Sequence, residues 1–133
     1  MPRFAANLSM MFNEVPFLDR FALAAKAGFK GVEFLFPYDH PAAEIAARLK
    51  DNGLQQVLFN APAGDFGKGE RGMAAIPGKQ AAFRDSIKLA LEYATTLACP
   101  RLHIMAGLKP EGVAHDTLTA VYGANLTYAA EEC

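Results

Sequence analysis

The stretch Gly31-Val32-Glu33-Phe34-Leu35-Phe36, then Asp39-His40-Pro41-Ala42-Ala43-Glu44-Ile45-Ala46-Ala47-Arg48-Leu49, then Leu54-Gln55-Gln56-Val57-Leu58-Phe59-Asn60-Ala61, decides the fold. Its first part is a short apolar run broken only by Glu33, which reads as a strand from Gly31 to Phe36. Asp39-His40-Pro41 then starts a helix, because proline is favoured where a helix has no use for its N–H, and Ala42, Ile45, Ala46 and Leu49 fall on one face. Gly53 ends it, and Leu54 to Ala61 is the next strand. A strand, a helix and a strand in this order imply parallel strands joined by a right-handed crossover.

Working outward, the same unit recurs. Before it, Phe4 to Met10 alternates Phe4, Ala6, Leu8 and Met10 with Ala5, Asn7 and Ser9, and is a strand. Pro16 opens a helix with Leu18, Phe21, Ala22 and Ala25 on one face, closed by Gly28 where a left-handed residue is wanted. After it, a long glycine-bearing loop leads to a helix striped by Phe83, Ile87, Leu91, Ala94 and Ala98 and terminated by Pro100. Arg101 to Ala106 is a fourth strand. A last helix begins at about Asp116, with Leu118, Val121, Tyr122, Leu126 and Ala129 at helical spacing.

Four such units make an α/β protein with a parallel sheet, and the strand faces choose between a doubly wound sheet and a barrel. Central strands of a doubly wound sheet are apolar on both faces. Here one face holds Leu8, Val32 with Phe34, Val57 with Phe59, and Leu102 with Ile104. The other holds one polar residue per strand: Asn7, Glu33, Asn60 and His103. That fits the inward face of a (β/α)8 TIM barrel leading to a polar mouth. A whole barrel takes about 250 residues, so the 133 residues read as one partial domain, residues 1–133, the N-terminal half of such a barrel.

Composition narrows the function. Thirteen Lys and Arg against fourteen Asp and Glu give a net charge of −1, which provides no field for a phosphate backbone, so nucleic acid is not an expected partner. No apolar stretch reaches the roughly 18 residues of a membrane helix, and the first residues lack a secretory core, so a soluble, cytoplasmic protein is expected. Two cysteines, Cys99 and Cys133, suggest neither a disulfide framework nor a zinc knuckle and fit a reduced compartment. His40, His103 and His115 lack the spacing of a helical metal pair, so no metal site is read from this chain.

Gly67-Lys68-Gly69-Glu70-Arg71-Gly72 spells the dinucleotide-binding pattern, but its context is wrong. Pro62, Gly64 and Asp65 precede it and Pro77-Gly78 follows, so no helix N-terminus receives a pyrophosphate at Gly72. A mobile loop over the barrel mouth explains the glycines, and Arg71 on it is placed to clamp a carboxylate, or else is a solvated loop arginine. His103 is either a satisfied core histidine or a ligand contact. Glu33 orients groups in the lumen, binds substrate, or forms a buried hydrogen-bonded pair. Cys99 reads as a packed thiol.

Arg3-Phe4-Ala5-Ala6-Asn7-Leu8-Ser9-Met10, Gly31-Val32-Glu33-Phe34-Leu35-Phe36-Pro37-Tyr38 and Pro62-Ala63-Gly64-Asp65, with Gly67 to Gly72, Ile76-Pro77-Gly78 and Phe83-Arg84 behind them, resemble the hydroxypyruvate isomerase family within the xylose-isomerase-like barrels. The resemblance spans the chain. It implies interconversion of hydroxypyruvate and tartronate semialdehyde, or of a related 2-oxo acid sugar, through an enediolate, with a small hydroxy-oxo acid as ligand. It implies no organic cofactor and, for the complete enzyme, a divalent metal, Mg or Mn. The family's two proton-transferring glutamates and its metal ligands lie on later strands. Glu131 and Glu132 match no such position, so the isolated chain is expected to be inactive. What the resemblance assigns to this chain is a substrate-side wall: Glu70 and Arg71 in the third strand-to-helix loop, with Asn7, Glu33, Asn60 and His103 on the strands. Two other readings stay open. One is a non-catalytic half-barrel that pairs with itself or with a second chain; the other is a different reaction of the same superfamily, sugar epimerisation or apurinic-site cleavage.

Overall fold

The computed structural model describes residues 1–133. Four strands and four α-helices alternate: β1 (Ala5–Asn7), α1 (Arg20–Lys26), β2 (Gly31–Glu33), α2 (Ala42–Asp51), β3 (Gln55–Asn60), α3 (Gln80–Leu97), β4 (Leu102–His103) and α4 (His115–Glu132). The strands form one parallel sheet in the order β1-β2-β3-β4, as expected for half of a barrel. Every strand is shorter than its apolar run. Phe4 to Met10 contributes only Ala5–Asn7 because Met10 and Met11 turn back, both donating N–H to the Asn7 carbonyl at 3.1 and 2.8 Å. The first helix is likewise split, a 3-10 turn at Phe17–Asp19 preceding α1.

Glycine closes α1 and α2 as the sequence implies, Gly28 at φ 93° and Gly53 at φ 61°. The third helix starts three residues earlier than Phe83, at Gln80. It also stops one residue short of the expected stripe, since Ala98 leaves the helix at φ 49°.

The chain divides into two compact units, Met1–Phe59 with Glu92–Leu102, and Asn60–Leu91 with His103–Cys133. The core of the first is aromatic. Phe21, Phe34 and Phe59 are buried with Val32, Ile45 and Leu8. Phe17 meets both Phe21 and Phe34 edge-to-face at 5.4 and 5.3 Å. Each such side chain contributes about 1.5–3 kcal/mol through the apolar surface it removes from water. Tyr93 of α3 donates its hydroxyl to the His40 carbonyl at 2.8 Å, tying α3 to the turn before α2. In the second unit, α3 buries Phe83, Ile87 and Ala90, and α4 buries Leu118, Ala129 and one polar residue, Asn125, whose Nδ2 donates to the Ala74 carbonyl at 2.8 Å.

One expectation about strand faces is overturned. Val57 does not share the helix-side face with Phe59. Val32 pairs with Gln56 and Glu33 with Leu58, so β3 carries an extra residue, Val57, opposite the Val32–Glu33 step. The bulge turns Val57 towards the face of Ala5 and Gly31, its Cγ1 only 3.1 Å from where a Cβ on Gly31 would sit. Gln56 takes the buried place at 1% exposure, donating Nε2 to the Leu58 carbonyl at 2.8 Å and leaving Oε1 without a partner. Phe59 and Asn60 resume the alternation beyond it.

Candidate functional site

In the first unit the strands bring Asn7 and Glu33 side by side. They are register partners on β1 and β2, and Asn7 Nδ2 donates to Glu33 Oε1 at 3.0 Å. The same asparagine accepts the Ser9 N–H on Oδ1 at 3.0 Å, so its amide is oriented at both ends. Ser9 Oγ in turn accepts the Leu35 N–H at 2.9 Å and fastens the C-terminal ends of β1 and β2. Arg20, which no sequence pattern singles out, braces the loop after β1 by donating to the carbonyls of Leu8 at 2.7 Å and Val15 at 3.0 Å. Glu33 is thus half-buried and paired through Oε1 with a neutral donor.

In the second unit, Asn60 and His103 meet. Asn60 is 6% exposed, and its Oδ1 lies 3.1 Å from Nδ1 of the exposed His103. A carbonyl oxygen only accepts, so in this pairing Nδ1 is the donor and Nε2 is left out of it. Asn60 Nδ2 faces Met105 Sδ at 3.9 Å. The Ala61 N–H donates to the His103 carbonyl at 2.9 Å, which sets β4 against the end of β3 and fixes where the imidazole stands.

The glycine-bearing loop belongs to this unit too. A 3-10 turn at Phe66–Lys68 is capped by Asp65, which accepts the Lys68 N–H, and Gly69 leaves it at φ 92°. Glu70 reaches back to accept the Asp65 N–H at 2.6 Å and forward to Lys79 Nζ at 2.8 Å. The Lys79 hydrogen bond first, and the Asp65 N–H second, hold its carboxyl below the usual range. Arg71 lays its guanidinium 3.8 Å over the Phe66 ring and donates Nη1 to the carbonyls of Phe66 and Glu70 at 3.0 and 2.8 Å. Gly72 passes so close to the Met105 carbonyl that no Cβ fits, at φ 123°. The chain then runs antiparallel along Met105–Ala106 instead of entering a helix; α3 begins at Gln80. Lys68, Glu70, Arg71, Ile76, Lys79 and Leu108 surround a pocket of about 240 Å³.

The six expected residues therefore fall into three groupings: Asn7 with Glu33, Asn60 with His103, and Glu70 with Arg71. Glu70 is engaged in bracing the loop, and the two hydrogen bonds of Arg71 to the Phe66 and Glu70 carbonyls both leave from Nη1. Sequence reasoning missed Ser9, Arg20 and Lys79. Of these only Ser9, inside the alternating run Phe4 to Met10, carries a local signal.

A divalent cation of the Mg or Mn kind takes about six ligands, mostly oxygen and with carboxylates among them. No three His, Cys, Asp or Glu side chains gather in the chain to hold one, and each strand grouping offers a single carboxylate or a single imidazole beside an amide. The residues present do not by themselves make such a site. Cys99 is buried and unbridged, and burial raises its thiol pKa, as befits a packed thiol. No helix is long and apolar enough to cross a membrane.

Residues 21–133 match the family model for the xylose isomerase-like TIM barrel. The chain is 58% identical over 132 residues to the 2-oxo-tetronate isomerase of Haemophilus influenzae, a match covering 99% of this chain and 51% of that protein. It is 46% identical to the hydroxypyruvate isomerase of Escherichia coli, covering 98% of this chain and 50% of that one. A crystal structure from Brucella melitensis, titled AP endonuclease, family 2, superposes with a TM-score of 0.97 at 57% identity, over 99% of this chain and 51% of that one. The chain thus spans about half the length of the curated relatives it matches. With its alternating strands and helices, parallel sheet and matched residues, the chain belongs to the xylose isomerase-like TIM barrel family.

Proposed function

We propose that the chain supplies the substrate-side half of an isomerase of small 2-oxo acid sugars. The observation that carries this is its likeness, over nearly its whole length, to proteins named 2-oxo-tetronate isomerase and hydroxypyruvate isomerase. The reaction moves a carbonyl from carbon 2 to carbon 3: a base takes the proton from carbon 3, an enediolate forms, the carbon-3 hydroxyl proton passes to the carbon-2 oxygen, and the carbon-bound proton is returned to carbon 2. Hydroxypyruvate becomes tartronate semialdehyde in this way. A four-carbon 2-oxo-tetronate is the first related substrate to try, since the relatives of that name have the higher identities.

In this reading Arg71 binds the substrate carboxylate through Nε and Nη2, stacking on Phe66 and held by its two carbonyl contacts. Glu70 keeps the loop in shape, His103 Nε2 and Glu33 take hydrogen bonds from substrate hydroxyls, and Asn60 and Asn7 orient them. The proton-transferring pair and the divalent ion are assigned to the half of the barrel that the relatives carry beyond the matched part. A metal there would stabilise the enediolate oxygens.

The test is turnover in deuterated water by the protein isolated at its native length, with hydroxypyruvate and a 2-oxo-tetronate compared by NMR. Isomerisation with deuterium entering carbon 2 is expected; failure to turn over either acid would overturn the reading. The 133-residue chain alone is expected to show no turnover, and metal-dependent turnover by it would sink that part. The name of the Brucella melitensis protein, AP endonuclease, favours phosphodiester chemistry as a second reading, but a net charge of −1 gives this chain no general field for a phosphate backbone.

A further inference from the structure

Asn125 stands where α4 has no packing need of a polar side chain. It follows Leu118 by seven residues and precedes Ala129 by four, and these are the other two residues the helix buries, so its place belongs to the apolar stripe. At 3% exposure its amide is out of water, which costs free energy where a leucine would contribute it. The amide is satisfied across 51 positions of sequence, Nδ2 donating to the Ala74 carbonyl at 2.8 Å.

Ala74 lies in the stem that joins the two working ends of the glycine-bearing loop, with Arg71 before it and Lys79, the partner of Glu70, after it. The stem is pressed onto the chain beyond β4. A Cβ on Gly72 would lie 2.7 Å from the Gly107 nitrogen, and one on Gly107 would lie 2.8 Å from the Gly72 carbonyl oxygen. The backbone bonds that follow are uneven: Ala75 donates to the Ala106 carbonyl at 2.8 Å, but Ala74 reaches the Met105 carbonyl only at 3.4 Å. At Ala74, which is fully buried, the stem is therefore held less by its pairing with Met105 than by α4. Arg71 itself bonds to the carbonyls of Phe66 and Glu70, both of its own loop, so wherever the stem sets the loop, the guanidinium goes with it.

We infer that Asn125 is a positioning residue for Arg71: from α4 it fixes the stem through the Ala74 carbonyl and so sets where the guanidinium meets the substrate carboxylate. This rests on the reading of Arg71 as the carboxylate contact. A purely structural Asn125 would lower stability and leave substrate affinity alone, whereas a positioning Asn125 changes affinity by way of Arg71.

The test is a double-mutant cycle in the native-length protein, with Asn125→Leu, Arg71→Lys and the double variant assayed on hydroxypyruvate and a 2-oxo-tetronate. Leucine suits the stripe, and Asn125→Ala, which adds no bulk, takes its place where the leucine variant does not melt cooperatively. Asn125→Leu is expected to raise KM about fivefold or more with kcat changed about twofold or less, and to add no further rise to that of Arg71→Lys. Two rises that multiply in the double variant overturn the inference, as does an Asn125→Leu KM equal to that of the wild type beside a raised Arg71→Lys KM; the carboxylate reading survives both. An Arg71→Lys KM equal to that of the wild type defeats the carboxylate reading and the inference together. Amide exchange at Ala75, followed by NMR, reports the hold on the stem without any substrate: acceleration of about tenfold in the Asn125 variant is expected, and exchange at the wild-type rate overturns the inference whatever Arg71 binds.

Discussion

Lys79 Nζ sits 2.8 Å from Glu70 Oε1, and through that contact a residue nine positions on holds the loop that carries Arg71. The other Glu70 oxygen accepts the Asp65 N–H, so one carboxylate closes the loop at both ends. Because Lys79 and the Asp65 N–H depress the Glu70 pKa, the ionised brace is favoured in the folded state. Its contribution is present above the ordinary glutamate value of 4.5 and is lost as pH falls through the depressed value below it. Amide exchange at Asp65, monitored by NMR, should therefore accelerate beyond its intrinsic pH trend only under acid conditions. Glu70→Gln should remove that acid-dependent step, and an unchanged profile in this variant would refute the brace.

The His103 tautomer should depend on Asn60. With Oδ1 3.1 Å away, Nδ1 holds the hydrogen. Replacing Asn60→Leu removes the acceptor, and ¹⁵N shifts of the imidazole should move towards the Nε2–H form. Loss of this partly buried hydrogen bond should cost about 1 kcal/mol in urea unfolding. Retention of the Nδ1–H signature would show that another group selects it.

Gly72 and Gly112 make a controlled pair. Both have positive φ, but a Cβ at Gly72 strikes the Met105 carbonyl, whereas at Gly112 it meets nothing within 4 Å. Gly72→Ala should destabilise by roughly 2–4 kcal/mol, combining backbone strain with the clash. Gly112→Ala should cost about 1 kcal/mol, from strain alone. Equal losses in denaturant melts would mean that the approach to Met105 is not constraining.

Arg71→Lys tests the carboxylate role in the native-length protein. Lysine keeps the charge but loses the fork, the stacking on Phe66 and the two carbonyl bonds. KM should rise on the order of tenfold to a hundredfold, with a smaller change in kcat. An unaltered KM would leave Arg71 as loop scaffolding.

The sequence by itself determined the strand and helix order, the parallel sheet and the glycine ends of α1 and α2, because these follow from local periodicity and backbone sterics. It also marked one polar residue on each strand, since alternation is a property of the strand itself. Only the tertiary structure decided which of them meet. Asn7 lies 26 positions from Glu33 and Asn60 lies 43 from His103, separations that sheet register alone closes. The same holds for the bulge. Val57 and Gln56 exchange faces because β3 must fit β2 with one residue to spare, and a mismatch between two strands is written in neither of them alone. Lys79 follows the same logic, its role set by an irregular loop whose path no period encodes.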